Sequence, residues 1–282
     1  MIRIITDSAS DISQAEAAQM KITVLPLTIR FDMEEYEDGV TITNEAFFHK
    51  LLESGVFPST SQITPDRYEA QYRAAKEAGD EVLVLSLPGK LSGSIQNARV
   101  AAEDYADIVT VVDLQQVCLS FRILVQQAVI YRDAGMSRGE IAEQIVKDID
   151  DVRMIAVLDT LEYLKKGGRI SAATALLGGM LSVKPVVTVR DGEVILYGKA
   201  RGTKNGALQM TEFVKKEGGI DFDRPCCFGY TGFTDAKLRS FIADSVGLYE
   251  GHEENMDKVL VGPTIGTYAG SDAFAVAFFR RK

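Results

Sequence analysis

Residues 82–97 form the stretch that most constrains what this chain can fold into. Val82 to Leu87 is a short apolar run, which predicts a strand buried on both faces. Pro88-Gly89 ends the run, and a helical period begins at Ile95 after a segment of small residues. A strand, a glycine-containing turn and a helix in this order are typical of open α/β sheets, which bind ligands at the carboxyl ends of their strands.

Ser92 and Ser94 place two hydroxyls in that turn. The N-terminus of the following helix presents unpaired backbone N–H groups and a partial positive charge, and both favour an anionic ligand. Serine is also a leading N-cap residue, so a purely structural role for Ser92 explains the same pattern equally well.

Strands and helices alternate as far as about residue 150. The predicted strands are 2–5, 22–29, 82–87 and 108–112. The predicted helices are 13–20, 43–52, 66–78, the helix from 95, 119–133 and 137–149, while 31–39 is predicted to be a turn and 57–65 a polar loop. Ser137 and Glu140 are predicted to form a capping box, and Thr43 is predicted to cap its helix with an incomplete box, because Ala46 takes the place of the usual glutamate. Such alternation predicts βαβ units and a mostly parallel sheet.

The pattern changes in the second half of the chain. Asp191-Gly192 lies between two β-branched runs, which is a strong hairpin signal. Further strands are predicted at 154–158, 226–229, 258–261 and 273–279, and a helix of small residues is predicted to end at Leu181. We therefore predict an α/β protein of two domains: residues 1–152 form an N-terminal α/β domain with a parallel sheet, and residues 153–282 form a C-terminal α+β domain with an antiparallel sheet.

Charge and cysteine content limit the partners and the compartment. The chain has 282 residues, a net charge of −9 and a pI near 4.9, which argue against nucleic acid or an anionic membrane surface as the main partner. Its three cysteines, of which Cys226 and Cys227 are adjacent, indicate a reducing environment, so we expect a cytoplasmic protein. The first residues do not resemble a signal peptide, and no run of 18 apolar residues predicts stable membrane insertion.

The common catalytic and metal-binding motifs are absent from the sequence. It has no phosphate-binding glycine loop and no C-x-x-C, and its only histidines, His49 and His252, lie among charged residues, so we expect neither a cofactor nor a metal. One alternative is a serine-dependent hydrolase or acyltransferase acting on a lipid-like substrate, with Ser92 as nucleophile; no recognisable base accompanies it. A regulatory or structural protein with an empty pocket is a further alternative.

Seven short motifs, taken together and in order, resemble the DegV family of bacterial fatty-acid-binding proteins. They span nearly the whole chain: Ile5-Thr6-Asp7-Ser8-Ala9-Ser10-Asp11, Val24-Leu25-Pro26-Leu27, Ser59-Thr60-Ser61-Gln62, Leu91-Ser92-Gly93-Ser94, Lys166-Gly167-Gly168-Arg169-Ile170, Lys184-Pro185 and Gly262-Pro263-Thr264-Ile265-Gly266. Each motif is weak alone, and seven in register are specific. The resemblance implies a long-chain fatty acid held between the two domains by a protein that is a carrier and not an enzyme.

The resemblance also implies roles for individual residues. Thr60 and Ser92 match the hydroxyls that bind the fatty-acid carboxylate in the family, and the predicted site includes the neighbouring Ser61, Gly93 and Ser94 together with Tyr268. Some members present the fatty acid to a separate kinase, which makes acyl phosphate for phospholipid synthesis. We therefore assign Arg169 and Arg201 to the rim of the site or to the surface facing such a kinase. Without the resemblance, solvated surface charge would be the favoured explanation of both. We expect a monomer.

One segment departs from the family pattern. Many relatives carry a histidine near the head group, and this chain has Tyr268 at that place, within Thr267-Tyr268-Ala269-Gly270-Ser271-Asp272. A tyrosine hydroxyl donates one hydrogen bond but supplies no imidazolium charge. Head-group binding through hydroxyls and backbone is still implied, whereas kinase coupling is left open. A core aromatic is the alternative role for Tyr268.

A fatty-acid site is physically consistent with this composition. Burial of an acyl chain contributes roughly 0.8 kcal/mol per CH₂, so a sixteen-carbon palmitate tail contributes on the order of 10 kcal/mol before the costs of association. The run of small residues at 172–180 leaves room for such a tail, although close helix packing explains it equally well.

Overall fold

A computed structural model of the chain describes residues 1–170, 183–249 and 251–282. Thirteen strands are found in these ranges: β1 Ile2–Asp7, β2 Thr23–Leu25, β3 Thr28–Phe31, β4 Glu34–Glu37, β5 Ser59–Ser61, β6 Glu81–Ser86, β7 Val109–Asp113, β8 Val152–Val157, β9 Val183–Arg190, β10 Glu193–Arg201, β11 Cys227–Tyr230, β12 Asp257–Leu260 and β13 Phe274–Phe279. The ten α-helices in the same ranges are α1 Gln14–Met20, α2 Asn44–Glu53, α3 Pro65–Ala78, α4 Ser94–Ala101, α5 Leu119–Asp133, α6 Arg138–Asp148, α7 Glu162–Lys166, α8 Gly202–Lys216, α9 Ala236–Asp244 and α10 Pro263–Ala269.

The predicted parallel sheet is confirmed. Its four strands lie in the order β2-β1-β6-β7, and every pair is parallel. Strand β6 lies inside this sheet and is buried from Val82 onward, as its unbroken apolar run predicts. The carboxyl ends of β1 and β6 therefore lie side by side, which brings the turn containing Ser92 next to the segment that follows β1.

The second sheet has six strands in the order β10-β9-β8-β13-β11-β12. Four of its five pairs are antiparallel, as predicted, but β11 and β12 pair in parallel because α9 crosses back between them. The predicted hairpin joins β9 and β10, and Asp191 and Gly192 have φ of 51° and 76°. Two successive left-handed residues are what a two-residue type I′ turn requires.

A third sheet of three strands, β4-β3-β5, corrects the sequence prediction in three places. The predicted strand 22–29 is two strands in different sheets, divided at Pro26, since proline offers no N–H for a continuous ladder. The acidic segment 31–39, predicted to be a turn, contains β4, which pairs with β3 across a turn at Asp32. The predicted loop 57–65 contains β5, so Thr60 lies on a strand opposite Ile29.

Local capping signals are confirmed at the helix starts. Ser137 and Glu140 form the predicted capping box of α6. Thr43 caps α2 by accepting the N–H of Ala46, and the box there is incomplete because its third position is alanine. These caps depend only on residues within one helical turn, so the sequence alone was sufficient to predict them.

The six-stranded sheet is buried on both faces. One face packs against α8 and α9 through a cluster that includes Val186, Met210, Phe228 and Phe241. The other face joins a larger cluster that extends without interruption to the four-stranded parallel sheet. The two predicted domains thus share one apolar core, and their division at residue 152, where β8 begins, stays a prediction.

Two further observations complete the description. The run of small residues at 172–180 lies outside the described residues, so its predicted role remains open. Within the described ranges, no helix is both long and apolar enough to cross a membrane.

Candidate functional site

An apolar cavity lies between the four-stranded and the six-stranded sheets. It encloses about 900 Å³ of space, including its open mouth. Its walls come from the carboxyl ends of β1 and β6, from the inner face of the six-stranded sheet and from α10. Among the residues that the structure describes, most of those that line it are aliphatic, for example Leu27, Leu87, Met154, Leu158, Val187 and Ile265.

The floor of the cavity is a row of small residues across four neighbouring strands. Gly229 pairs with Ala275, Ala275 with Ala156 and Ala156 with Val187, so the four residues lie side by side on β11, β13, β8 and β9. All four line the cavity. Since side chains alternate between the faces of a sheet, the small side chains of Ala275 and Ala156 leave space above the inner face. The space beside Gly229 is filled by the side chain of Leu119, which lies 2.7 Å from where a Cβ atom would be. The space available to a ligand follows from the lack of bulk at the two alanines.

Cys118 forms part of the wall at the start of α5. Its backbone has φ of 59° and ψ of −134°, a conformation that side chains rarely adopt, and its N–H donates to the carbonyl of Ala9 at 2.9 Å. Burial raises the pKa of the Cys118 thiol well above its usual value. The thiol therefore stays neutral and contributes to the wall as a small apolar group.

Two predicted residues from distant parts of the chain meet at the polar end of the cavity. The hydroxyls of Thr60 and Tyr268 are 2.6 Å apart, and either one can be the donor. Thr60 is held on β5, and Tyr268 projects from α10. Both side chains line the cavity. Tyr268 therefore belongs to the cavity wall, whereas the sequence alone left open whether it was only a core aromatic.

Ser92 also lines the cavity, with Ser94 behind it. The hydroxyls of Ser92 and Ser94 are 3.0 Å apart, and Ser92 Oγ accepts the N–H of Ser94 at 3.2 Å. Ser94 is fully buried, and its hydroxyl also accepts the N–H of Ile63. The N-cap position of α4 is occupied by Gly93 and not by Ser92. Ser92 thus keeps hydrogen-bonding capacity toward the cavity, while Ser94 holds it in place.

Arg169 is the one charged side chain among the described residues that line the cavity. Its Nε donates to the carbonyl of Leu91 at 3.1 Å, and Nη1 donates to the carbonyl of Gly167 at 2.7 Å. The guanidinium lies over the ring of Tyr268, 5.1 Å from its centre, in a cation–π arrangement. Arg169 therefore links the turn that contains Ser92 to the helix that carries Tyr268.

Glycine at position 167 is required by this packing. A Cβ atom there would lie 2.4 Å from the ring of Tyr268, a distance that side chains do not tolerate. The glycine of the Lys166-Gly167-Gly168-Arg169 motif thus lets Tyr268 and Arg169 approach each other. This close approach gives a physical reason for the first glycine of a motif that was used above only for the family resemblance.

The other predicted site residues lie beside the cavity wall or away from it. Ser61 pairs through its backbone with Thr28, and Gly93 is exposed and packs against the side chain of Gln62. Neither is among the described residues that line the cavity. Arg201 is exposed at the end of β10, before α8, and it too is outside this lining. The roles predicted for Ser61 and Gly93 in ligand binding and for Arg201 at a partner surface therefore remain predictions.

Sequence reasoning missed the contribution of the second sheet and, apart from Tyr268, that of α10. Thr264 and Ile265 line the cavity from α10, although their motif was used only for the resemblance.

Within the described ranges, no group of three or more His, Cys, Asp or Glu residues is arranged to hold a metal ion.

Comparison with known families gives a match over almost the whole chain. The DegV family model, described as an uncharacterised protein family, matches residues 1–281. A DegV domain-containing protein of Deinococcus radiodurans is 33% identical over 281 residues, which cover 98% of this chain and 97% of that protein.

Solved structures match equally completely. A DegV family protein from Thermus thermophilus, described for its fatty acid binding, superposes with a TM-score of 0.88 at 30% identity and covers 99% of both chains. A stearic-acid-binding protein from Eubacterium ventriosum superposes with a TM-score of 0.84 at 26% identity, covering 99% of this chain and 98% of that one. Both are described as binding proteins.

Proposed function

The chain belongs to the DegV family, and we propose that it binds a long-chain fatty acid in the cavity between its two large sheets. The observation that carries the proposal is the asymmetry of this cavity. Its described lining is mostly aliphatic, while a single cation, Arg169, stands with the hydroxyls of Thr60, Ser92 and Tyr268. A long apolar ligand with one anionic end matches that distribution.

The carboxylate is proposed to lie at the hydroxyl-bearing end. Each of its oxygens accepts hydrogen bonds, and Thr60 and Ser92 can each donate one. Hydrogen bonds to a charged group are roughly twice as strong as neutral ones. Arg169 supplies the positive charge that Tyr268 lacks, and its side chain is already held by the carbonyls of Leu91 and Gly167.

The acyl tail is proposed to run along Ala275 and Ala156, which lie side by side on the inner face of the six-stranded sheet. Each methylene removed from water contributes about 0.8 kcal/mol. Most of the affinity therefore comes from the tail, and the polar end sets the orientation of the ligand.

The geometry does not favour the hydrolase alternative. Ser92 Oγ bonds to Ser94, and neither histidine of the chain lines the cavity. His49 is exposed and bonds to Glu53, and His252 stacks on Phe222. A serine nucleophile needs a base within hydrogen-bond reach, and the described lining offers no imidazole in that place.

We further propose that the protein is a carrier that presents its fatty acid to a kinase, which would phosphorylate the carboxylate to acyl phosphate for phospholipid synthesis. Support for this comes from the family resemblance and from the exposure of Arg201 outside the cavity. An exposed guanidinium at the end of β10 is available to an acidic partner surface without any effect on the ligand.

The experiment that tests fatty-acid binding is native mass spectrometry of the protein as purified, followed by solvent extraction and identification of released lipids. A mass increment equal to one C14–C18 fatty acid, lost on extraction and regained with added palmitate, is expected. A protein that carries no lipid and also fails to bind palmitate on titration would contradict the proposal.

The Tyr268 hydroxyl is expected to contribute to this binding. Tyr268→Phe removes the group bonded to Thr60 and should lower palmitate affinity about fivefold, since a neutral hydrogen bond is worth about 1 kcal/mol. Isothermal titration calorimetry measures the change. Tyr36→Phe, which alters an exposed hairpin, is the matched control. Unchanged affinity in Tyr268→Phe would show that the hydroxyl has no part in head-group binding.

The two arginines are expected to separate binding from transfer. Arg169→Ala should lower palmitate affinity by roughly tenfold or more, because it removes the cation beside the carboxylate. Arg201→Ala should leave palmitate affinity unchanged and abolish phosphorylation of the bound fatty acid by a cognate kinase with ATP. Arg190→Ala, another exposed arginine, is the control for general charge effects. If Arg201→Ala loses palmitate affinity as well as phosphorylation, Arg201 has a role in folding instead.

A further inference from the structure

Helix α10 begins without a cap of its own. Its N-cap residue is Gly262, which has no side chain, and Pro263 follows at the first helical position. The first N–H groups of a helix have no partner within the helix and need an external acceptor. For α10 the acceptors are carboxylates from the opposite half of the chain.

Two aspartates supply this cap. Asp11 Oδ1 accepts the N–H of Gly262 at 2.8 Å, and Asp38 Oδ2 accepts the N–H of Thr264 at 3.1 Å. Asp11 follows β1, and Asp38 follows β4, so each contact joins residues more than 220 positions apart. Negative charge at a helix N-terminus is also favoured by the helix dipole.

The helix that they hold forms one wall of the proposed site. Ile265, Tyr268 and Ala269 of α10 line the cavity, and Tyr268 reaches Thr60. Because α10 has only seven residues, a displacement of its N-terminus carries Tyr268 with it. The helix is also closely packed: a Cβ on Gly266 would lie 2.7 Å from the ring of Phe47.

We propose that Asp11 and Asp38 are positioning residues for the fatty-acid head group: by capping α10 across the two halves of the chain, they place the Tyr268 hydroxyl against Thr60 and toward the carboxylate. The proposal rests on the proposed function. It assigns a role in ligand binding to acidic residues that do not line the cavity.

The cost of burying these carboxylates supports a specific role. Asp38 is only 3% exposed, and a buried carboxylate costs free energy unless it is well hydrogen-bonded. Burial raises the pKa of Asp38 to about 6 and that of Asp11 to about 7. Two charged groups face the Asp11 carboxyl: the carboxyl of Asp38 and the guanidinium of Arg122, which donates to the Asp11 backbone carbonyl at 2.9 Å. The Asp38 carboxyl is also faced by the carboxyl of Asp7, at the end of β1.

The test compares two ligands that share a tail and differ in the head group. Affinities of Asp38→Ala and Asp11→Ala, which remove the acceptor oxygens, are measured for palmitate and for hexadecan-1-ol at pH 8, above the pKa of both native carboxyls. Palmitate affinity should fall about five- to tenfold in each variant, while hexadecan-1-ol affinity stays as in the wild type. Asp244→Ala, the same change at an exposed residue at the end of α9, is the control and should change neither affinity.

A purely structural role for the aspartates predicts a different outcome, namely equal losses for both ligands, which would overturn the proposal. The double variants with Tyr268→Phe provide the second criterion. If Asp38 acts through Tyr268, Asp38→Ala should cause no further loss of palmitate affinity in that background, because interacting residues are non-additive. An equal loss in both backgrounds would also overturn it.

Thermal unfolding of each variant verifies that it is folded. If Asp38→Ala does not fold, Asp11→Ala carries the same comparison, because it removes the other cap of α10. Failure of the wild type to bind either ligand would contradict the proposed function and is therefore distinguishable from failure of the positioning role, in which the wild type binds both.

Discussion

The double variant Thr60→Ala, Ser92→Ala is expected to bind palmitate roughly 10²- to 10⁴-fold more weakly than the wild type. Each hydrogen bond from a hydroxyl to a carboxylate is worth roughly 1.5–3 kcal/mol, and about 1.4 kcal/mol corresponds to a factor of ten. Both hydroxyls line the cavity together with Arg169, the one cation in the described part of its lining. Their removal leaves the carboxylate with Arg169 and Tyr268 as its remaining donors.

Thr60→Ala and Ser92→Ala alone should each lose less than half of the binding free energy for palmitate that the double variant loses. In Thr60→Ala the Tyr268 hydroxyl loses its present partner and is free to turn to the ligand, and in Ser92→Ala a water molecule can replace the missing hydroxyl. Titration calorimetry with palmitate measures all three variants, and Ser59→Ala, an exposed neighbour on β5, is the control. Wild-type affinity in the double variant would contradict the head-group assignment.

Ala156→Phe is expected to convert the protein from a binder of long chains to a binder of short ones. Ala156 lies on β8 between Ala275 and Val187 in the floor of the cavity. A phenyl ring there occupies the length of roughly four methylenes, at about 0.8 kcal/mol each, so palmitate affinity should fall on the order of 100-fold or more. Decanoate, which is six carbons shorter, should lose little.

Ala275→Leu on β13 serves as an independent variant, since it fills the neighbouring position of the same row. The affinities of each variant for decanoate, myristate and palmitate are measured. Its thermal unfolding is measured as well, because an overfilled core also lowers stability. Equal losses for all three acids would indicate damage to the fold, and unchanged palmitate affinity would show that the tail lies elsewhere.

Features that depend on neighbouring residues could be predicted from the sequence. The capping box of Ser137 and Glu140, the turn at Asp191-Gly192 and the buried strand β6 were all predicted, and all were confirmed. The parallel sheet followed from the alternation of strands and helices. Each of these depends on interactions within a few residues or on a repeating pattern, and both are readable in one dimension.

The errors arose where pairing between distant segments decides the structure. Strands β4 and β5 carry polar residues that give no apolar run, and they exist because β3 offers backbone partners on both sides. The parallel pair β11 and β12 likewise depends on the path of α9 and not on the strand sequences. Hydrogen bonding to a neighbouring strand overrides the local preference of such short segments.

The sequence by itself determined the helix caps, the hairpin, the parallel sheet and, through seven motifs in register, the family. Only the tertiary structure decided which residues share the cavity. Thr60 and Tyr268 are 208 positions apart and Asp38 and Thr264 are 226 apart, yet each pair forms a hydrogen bond. Ala156 and Ala275 become one surface only through strand register. Such contacts are set by the packing of whole sheets, because no local interaction specifies which distant residue completes a site.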